Sequence, residues 1–403
     1  MSTKVLLHVG TPKTGTSHLQ DVLFRNRETL LEHGISYPAD RFDGHFLAAL
    51  DLMQLPWGGL EREAVGAWDD LAARVRAHSG TSVVSHEILA TASRPQIARA
   101  LRDLGADDGV EVHLVISTRD LVRQIPAEWQ ENVKHRATLT YADFLATITD
   151  PDRPGRIGNW FWGVQEIPDI LDRWGGTLPP ERVHVVTVPA PGAPPEELWR
   201  RFSRVFGLDG LPLDLTPEKA NPSMGVPETA LLRRVNTRVV DDVAPADYRP
   251  LVREVLAHQT LSRRRGSARL ALPPQVHAWA QDLSRSWIAE VERRGYRVEG
   301  DLADLVGRPA GDWADPDNPD PEETADAALD AVAALVHECV RIRREEERLH
   351  AEVRDLHVQL ASARMRPGYR VRERIVGRLN RSRLGRGALQ VYRRVRGRSS
   401  RAA

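Results

Sequence analysis

Eight consecutive residues near the start of the chain, Gly10-Thr11-Pro12-Lys13-Thr14-Gly15-Thr16-Ser17, combine the groups needed to hold an oxyanion. Glycines let backbone amides approach a ligand, Thr14, Thr16 and Ser17 add hydroxyl donors, and Lys13 adds a mobile charge. Such a loop between a strand and a helix aims its amides and the positive end of the helix dipole at one point, which suits phosphate or sulfate. Two further places carry reactive side chains. His86 and Glu87 stand side by side at the end of an apolar run, and either can accept a proton. Arg119 follows a second run, and its planar fork offers two charge-assisted bonds to phosphate oxygens.

The lysine position separates this loop from the P-loop of ATP- and GTP-binding proteins. Gly10-x4-Gly15 has the right frame, but Thr16 stands where that motif requires lysine, and the lysine lies inside the loop at position 13. Pro12-Lys13-Thr14-Gly15-Thr16-Ser17-x-Leu19 instead resembles the 5′-phosphosulfate loop of the sulfotransferases, which use 3′-phosphoadenosine 5′-phosphosulfate (PAPS) as sulfuryl donor. The strand-end Arg119 resembles the second signature of that family, as in bacterial sulfotransferase-like proteins with a C-terminal coiled coil.

The resemblance implies a division of labour. Pro12, Lys13, Thr14, Gly15, Thr16 and Ser17 hold the 5′-phosphosulfate, and Arg119 holds the 3′-phosphate. Lys13 stabilises charge growing on the oxygen that bridges sulfur and phosphorus. Glu87, with His86 as second choice, takes the proton from the hydroxyl of a carbohydrate, lipid or small-molecule acceptor, and no metal is required. The family's serine eight positions after the arginine is replaced by Ala127, with Arg123 and Gln124 on the same helix as substitutes for its hydroxyl. A nucleotide kinase or NTPase and a non-catalytic nucleotide-binding scaffold at a membrane are the alternatives. The displaced lysine opposes the first, and Ala127 supports the second.

These side chains need a scaffold that brings strand ends together. Val5–Val9, Thr81–Glu87, Glu111–Asp120 and Arg182–Val188 read as strands, separated by helical spacing over Leu19–Leu31, Glu61–His78, Pro95–Leu104, Leu121–His135, Val164–Arg173 and Glu196–Phe206. The helix after Arg119 is expected to be interrupted near Pro126. Strands alternating with helices predict an α/β fold, a P-loop-like three-layer sandwich with a central parallel sheet. His45 and the aromatic run Trp160-Phe161-Trp162 are expected to pack in the core. Helices at Thr229–Val240, Tyr248–His258 and Pro274–Arg293 follow, and the basic loop from Arg263 to Arg269 resembles the loop that closes over the 3′-phosphate in cytosolic sulfotransferases and reads equally well as a solvated loop.

Length and composition bound the rest. A chain of 403 residues with 41% hydrophobic content allows two or three domains and a sizeable core. The single cysteine, Cys339, excludes an internal disulfide framework, and the fourteen histidines form no recognised zinc spacing. No apolar run reaches bilayer length and the first residues do not read as a secretory signal, so the chain is expected in the cytosol.

A net charge of zero conceals an asymmetry. From Arg364 onward there are fourteen arginines and one acid, so residues 1–363 carry 42 basic and 55 acidic residues. The expected organisation is an α/β domain over 1–308, an acidic proline-rich linker over 309–324, a coiled coil over 325–363 and an arginine-rich amphipathic tail over 364–403. Val332, Cys339, Glu346, Val353 and Leu360 fall seven apart, with Leu335, Ile342, Leu349 and Leu356 three residues later, which predicts a two-stranded coil and a homodimer. Val371, Ile375 and Leu379 among the arginines predict a tail on an anionic membrane surface, peripheral on its inner face, in preference to nucleic acid.

Overall fold

A computed structural model describes residues 2–216 and 223–365, together with Val376 and Leu379. The expected basic tail therefore lies almost wholly outside the described residues. The chain forms two compact units, Met1–Val332 and Ala333–Ala403.

Six parallel strands make one sheet in the first unit: β1 (Lys4–His8), β2 (Ile35–Ser36), β3 (Thr81–Ser85), β4 (Glu111–Thr118), β5 (Val183–Thr187) and β6 (Arg297–Glu299), in the order β2-β3-β1-β4-β5-β6. The short edge strands β2 and β6 give almost no periodic signal, and the sequence reading misses both. The main helices are α1 (Thr16–Arg25), α2 (Gly44–Met53), α3 (Leu121–Lys134), α4 (Glu197–Phe206), α5 (Val226–Val239), α6 (Pro274–Arg294) and α7 (Pro321–Met365). This is the expected P-loop-like three-layer α/β sandwich.

Alternation along the strands assigns the two sheet faces. Leu6, Val83, Val115 and Val186 pack against Leu19 and Leu23 of α1 and Phe202, Val205 and Phe206 of α4. Leu7, Val84, Leu114, Ile116 and Val185 alternate with the first set and are also buried. Apolar residues on both faces explain why β4 reads as a near-continuous hydrophobic run. From β1 the chain passes to β2 and β3 on one side and then crosses to β4 on the other. The crevice beyond the ends of β1 and β4 is thus a topological switch point, where ligands gather in such sheets.

Several helices differ from their expected bounds for identifiable reasons. Periodicity runs from Leu19 to Leu31, but the helix stops at Asn26, whose amide nitrogen donates to the carbonyls of Val22 (2.8 Å) and Asp214 (3.0 Å). A side chain that competes for helix carbonyls marks the break. Pro126, by contrast, does not interrupt α3. Ile125, Trp129 and Val133 are fully buried on one face, and that packing outweighs the lost backbone bond. Residues Arg249–Thr260 form a π-helical segment where an α-helix was expected.

The acidic stretch expected to be an unpacked linker is tied down. Asp317 accepts from the backbone amides of Tyr141 (2.9 Å) and Ala142 (2.8 Å), and α7 begins at Pro321 with Ala327 and Ala331 buried. In the basic loop, Arg264 is not a free solvated side chain, being paired to Glu228 (2.8 Å) and Asp330. The described part of the second unit is the remainder of α7. Ile342, Leu349, Val353, Leu356 and Leu360 are exposed there, as is Cys339. No helix among the described residues is long and apolar enough to cross a membrane.

Candidate active site

The loop after β1 is anchored from beneath. His8, the last residue of β1, contacts Ser85 Oγ through Nδ1 (2.8 Å) and Ser117 Oγ through Nε2 (3.1 Å), joining β1 to both neighbours. Complete burial pushes its pKa down to about 4, so the ring is neutral at physiological pH and acts as a structural clamp. Ser117 also receives the loop. Its amide donates to Gly10 O (2.5 Å), its carbonyl accepts from Thr11 N–H (2.6 Å), and its hydroxyl meets that of Thr14 (2.6 Å).

Two glycines are required for steric reasons. Gly10 has φ of 120° and a Cβ there would lie 2.9 Å from the Glu87 carbonyl oxygen. Gly15 has φ of 89° and a Cβ there would lie 2.6 Å from Leu198 Cδ2. Lys13 adopts φ of 62° without being glycine. Left-handed conformation at positions 13 and 15 turns successive amides toward one side, as an anion nest requires. Among the described residues no backbone hydrogen bond is made by the amides of Lys13, Thr14, Gly15, Thr16 and Ser17, whereas those of His18 and Leu19 donate to Gly15 O (3.1 Å each).

The hydroxyls of the loop separate into two roles. Thr14 is fully buried and donates inward to Thr11 O (2.5 Å), so this side chain shapes the loop. Thr16 and Ser17 make no side-chain hydrogen bond among the described residues and keep donors for a ligand. Pro12 contributes its carbonyl, which accepts from Gln124 Nε2 (2.8 Å).

Arg119 arrives at the same loop from β4. Its guanidinium donates to Lys13 O (3.2 Å) and Arg123 O (3.1 Å), while Nε is buried without an acceptor. Burial, then repulsion from Arg123, pushes its pKa down to about 10, which leaves it a cation at neutral pH. Arg123 and Gln124 are already engaged, Arg123 with Asp120 and Pro189 O (3.1 Å), Gln124 with Pro12. Gln124 Oε1 is buried without a partner among the described residues.

Glu87 lies against Gly10, and its carboxylate accepts from Gln20 Nε2 of α1 (3.1 Å). Burial opposes its ionisation, but His86, hydrogen bonds and His8 outweigh burial and hold its pKa below the ordinary value. His86 is also lowered, chiefly by burial, and its ring packs on Phe46 at 5.0 Å. His86 Nδ1 accepts from the Ile88 amide (3.2 Å). A neutral imidazole has one lone pair, and here it is occupied, so the other nitrogen carries the proton.

Sequence reasoning singled out Lys13 but missed its partner. Lys13 Nζ meets Glu131 Oε2 at 2.5 Å, from the last turns of α3. Only the tertiary fold joins positions 13 and 131. Gln20 and His8 were equally invisible, since a polar residue in a helix or strand carries no signal of what it will touch. His45, expected in the core, is buried, accepts from the Ser85 amide (3.2 Å) and packs on Tyr37. Phe161 and Trp162 are likewise buried, whereas Trp160 is half-buried against Trp57. No group of three or more metal-ligating side chains occurs among the described residues.

The parallel sheet with the Gly10–Ser17 loop at its switch point gives an α/β protein of P-loop-like architecture. No known family matches the sequence, and no curated protein matches it. Among solved structures the chain is similar to a sulfotransferase from Alicyclobacillus acidocaldarius, at 18% identity, covering 62% of this chain and 96% of that one, with a TM-score of 0.36.

Proposed function

We propose that this protein is a sulfotransferase that moves the sulfuryl group of PAPS to an acceptor hydroxyl. The observation that carries the reading is the bond from Arg119 to the carbonyl of Lys13, which joins the two phosphate-reading features at one loop. The free amides of positions 13–15, with Thr16 and Ser17, are suited to the 5′-phosphosulfate, and the unpaired Nε of Arg119 to a second phosphate. Lys13 acts on the bridging oxygen as sulfur leaves it. Its ammonium is held by Glu131 and must part from that carboxylate to do so.

Glu87 is the base in this reading. It is ionised at neutral pH and has an unshared carboxylate oxygen, whereas the lone pair of His86 is taken by Ile88. The acceptor oxygen attacks sulfur in line while Glu87 takes its proton. The S–O bond to the 5′-phosphate breaks, giving a sulfate ester and adenosine 3′,5′-bisphosphate. In the same proposal the exposed heptad positions of α7 pair two copies of the chain, and the arginine-rich tail rests on an anionic membrane surface at the inner face, with the enzyme in the cytosol.

A nucleotide-binding scaffold is the second reading, favoured by Ala127, which lacks the family's hydroxyl. Calorimetry with PAPS, adenosine 3′,5′-bisphosphate and ATP separates the readings. Tight bisphosphate binding together with turnover of labelled donor is the expected result. Preference for ATP with Mg²⁺ overturns it in favour of an NTPase, and bisphosphate binding without turnover favours the scaffold.

A further inference from the structure

The Lys13–Glu131 contact belongs to a larger cluster in which cations exceed anions. Glu131 also accepts from His135 Nε2 (3.1 Å) and from Arg253 Nη2 (3.4 Å), the latter on the π-helical segment. The next cation has no such partner. Lys134 is only 4% exposed and makes no hydrogen bond or salt bridge among the described residues. Burial pushes its pKa down to about 8, Glu131 partly opposes this, and Lys13 and Arg253 add to it. Nε of Arg253 is also buried without an acceptor.

Lys13, Lys134 and Arg253 thus surround one fully charged carboxylate. Glu128, on the same helix, is only about half ionised at neutral pH, because burial first of all pushes its pKa up to about 7. Glu254 acts on His258, on the same segment as Arg253. The lysine stem is buried while the ammonium reaches the surface unpaired among the described residues beside other cations, and a bound anion would neutralise it.

We propose that Lys134 and Arg253 form an anion site beside Lys13 that takes a phosphate, sulfate or carboxylate group carried by the acceptor. The assignment to the acceptor rests on the donor reading above. Arg119 precedes α3 and Lys134 ends it, so about 20 Å of helix separates the two at 1.5 Å per residue. A donor that spans from the loop to Arg119 occupies the start of α3. Lys134 is one turn beyond Glu131, the residue that Lys13 reaches, and therefore lies on the far side of the transferred group. Recognition by charge at that place selects an acceptor with an anionic substituent near its reactive hydroxyl.

The test uses the full chain saturated with adenosine 3′,5′-bisphosphate and titrated with inorganic phosphate in a calorimeter. Lys134→Met and Arg253→Met are each expected to weaken phosphate binding about tenfold or more while bisphosphate binding is retained. Lys134→Met is also expected to raise the melting temperature without phosphate and to lose the rise that phosphate gives the wild type. Glu131→Gln, which removes the competing carboxylate, is expected to tighten phosphate binding. Unchanged phosphate binding in both methionine variants overturns the site. An equal loss of bisphosphate and phosphate binding overturns its assignment to the acceptor, since it places these residues on the donor. Absence of bisphosphate binding in the wild type defeats the donor reading and with it the acceptor assignment. Phosphate titrated into the ligand-free chain then decides the anion site by itself, and equal affinity in wild type and Lys134→Met overturns it.

Discussion

Beneath the Gly10–Ser17 loop the polar side chains of His8, Thr14 and Ser117 are inside and joined to partners, whereas along α7 beyond Val332 the apolar groups are outside and the charges pair on the surface. His8, Thr14 and Ser117 are buried, and each contacts a partner from another segment. In the helix, Glu338–Arg341 and Glu345–Arg348 pair within one turn, while Ile342, Leu349 and Leu356 are about half exposed. A buried network fixes its geometry because loss of one partner leaves another group unsatisfied in a low-dielectric interior. A solvated helix has no such dependence. Its exposed seam gains energy only when another surface covers it.

The contrast orders the expected effects of substitution. Glu87→Gln should lower turnover most, by about 10²- to 10⁴-fold, with bisphosphate binding retained. Because the base must be unprotonated, kcat/KM rises with pH through its pKa. With Glu87 as base the rising limb falls below the ordinary glutamate value of 4.5. A limb that lies below the ordinary histidine value of 6.5 and is retained in Glu87→Gln transfers the role to His86. Lys13→Ala should cost about 10²- to 10³-fold in kcat, and full activity in that variant removes the loop lysine from the mechanism.

Gly10→Val tests the rigidity of the loop itself. With φ of 120° and a Cβ 2.9 Å from the Glu87 carbonyl, the substitution should destabilise the fold by about 1–3 kcal/mol in denaturant unfolding. Leu349→Asp combined with Leu356→Asp addresses the other side of the comparison. Self-association measured by sedimentation should be lost, while the stability of the α/β unit stays within about 0.5 kcal/mol of wild type. A large drop in that stability would erase the distinction between the two regions, and unchanged association would remove the coiled coil.

Legibility in the sequence followed the range of the interactions. Strands β1, β3, β4 and β5 were readable because burial on both faces leaves apolar runs in the chain itself. Strands β2 and β6, of two and three residues, exist only because a longer neighbour offers a free edge. Pro126 misled for the same kind of reason, since its local cost is visible in sequence and the packing of Ile125, Trp129 and Val133 is not. Asp317 turned an apparent linker into a helix cap at Tyr141, a contact across 176 positions.

Within the site, the loop and its chemistry were local and therefore determined by sequence alone. Glycine at positions 10 and 15, lysine at 13 and hydroxyls at 16 and 17 supply the backbone freedom and donor content of the proposed anion cradle. The tertiary structure decided which of these groups face a ligand and which face the protein. It turned Thr14 inward, occupied the lone pair of His86, set Gln20 on Glu87 and Glu131 on Lys13, and left Lys134 unpaired among the described residues. Those outcomes depend on side chains brought together from distant positions, where burial sets the cost of every unpaired charge.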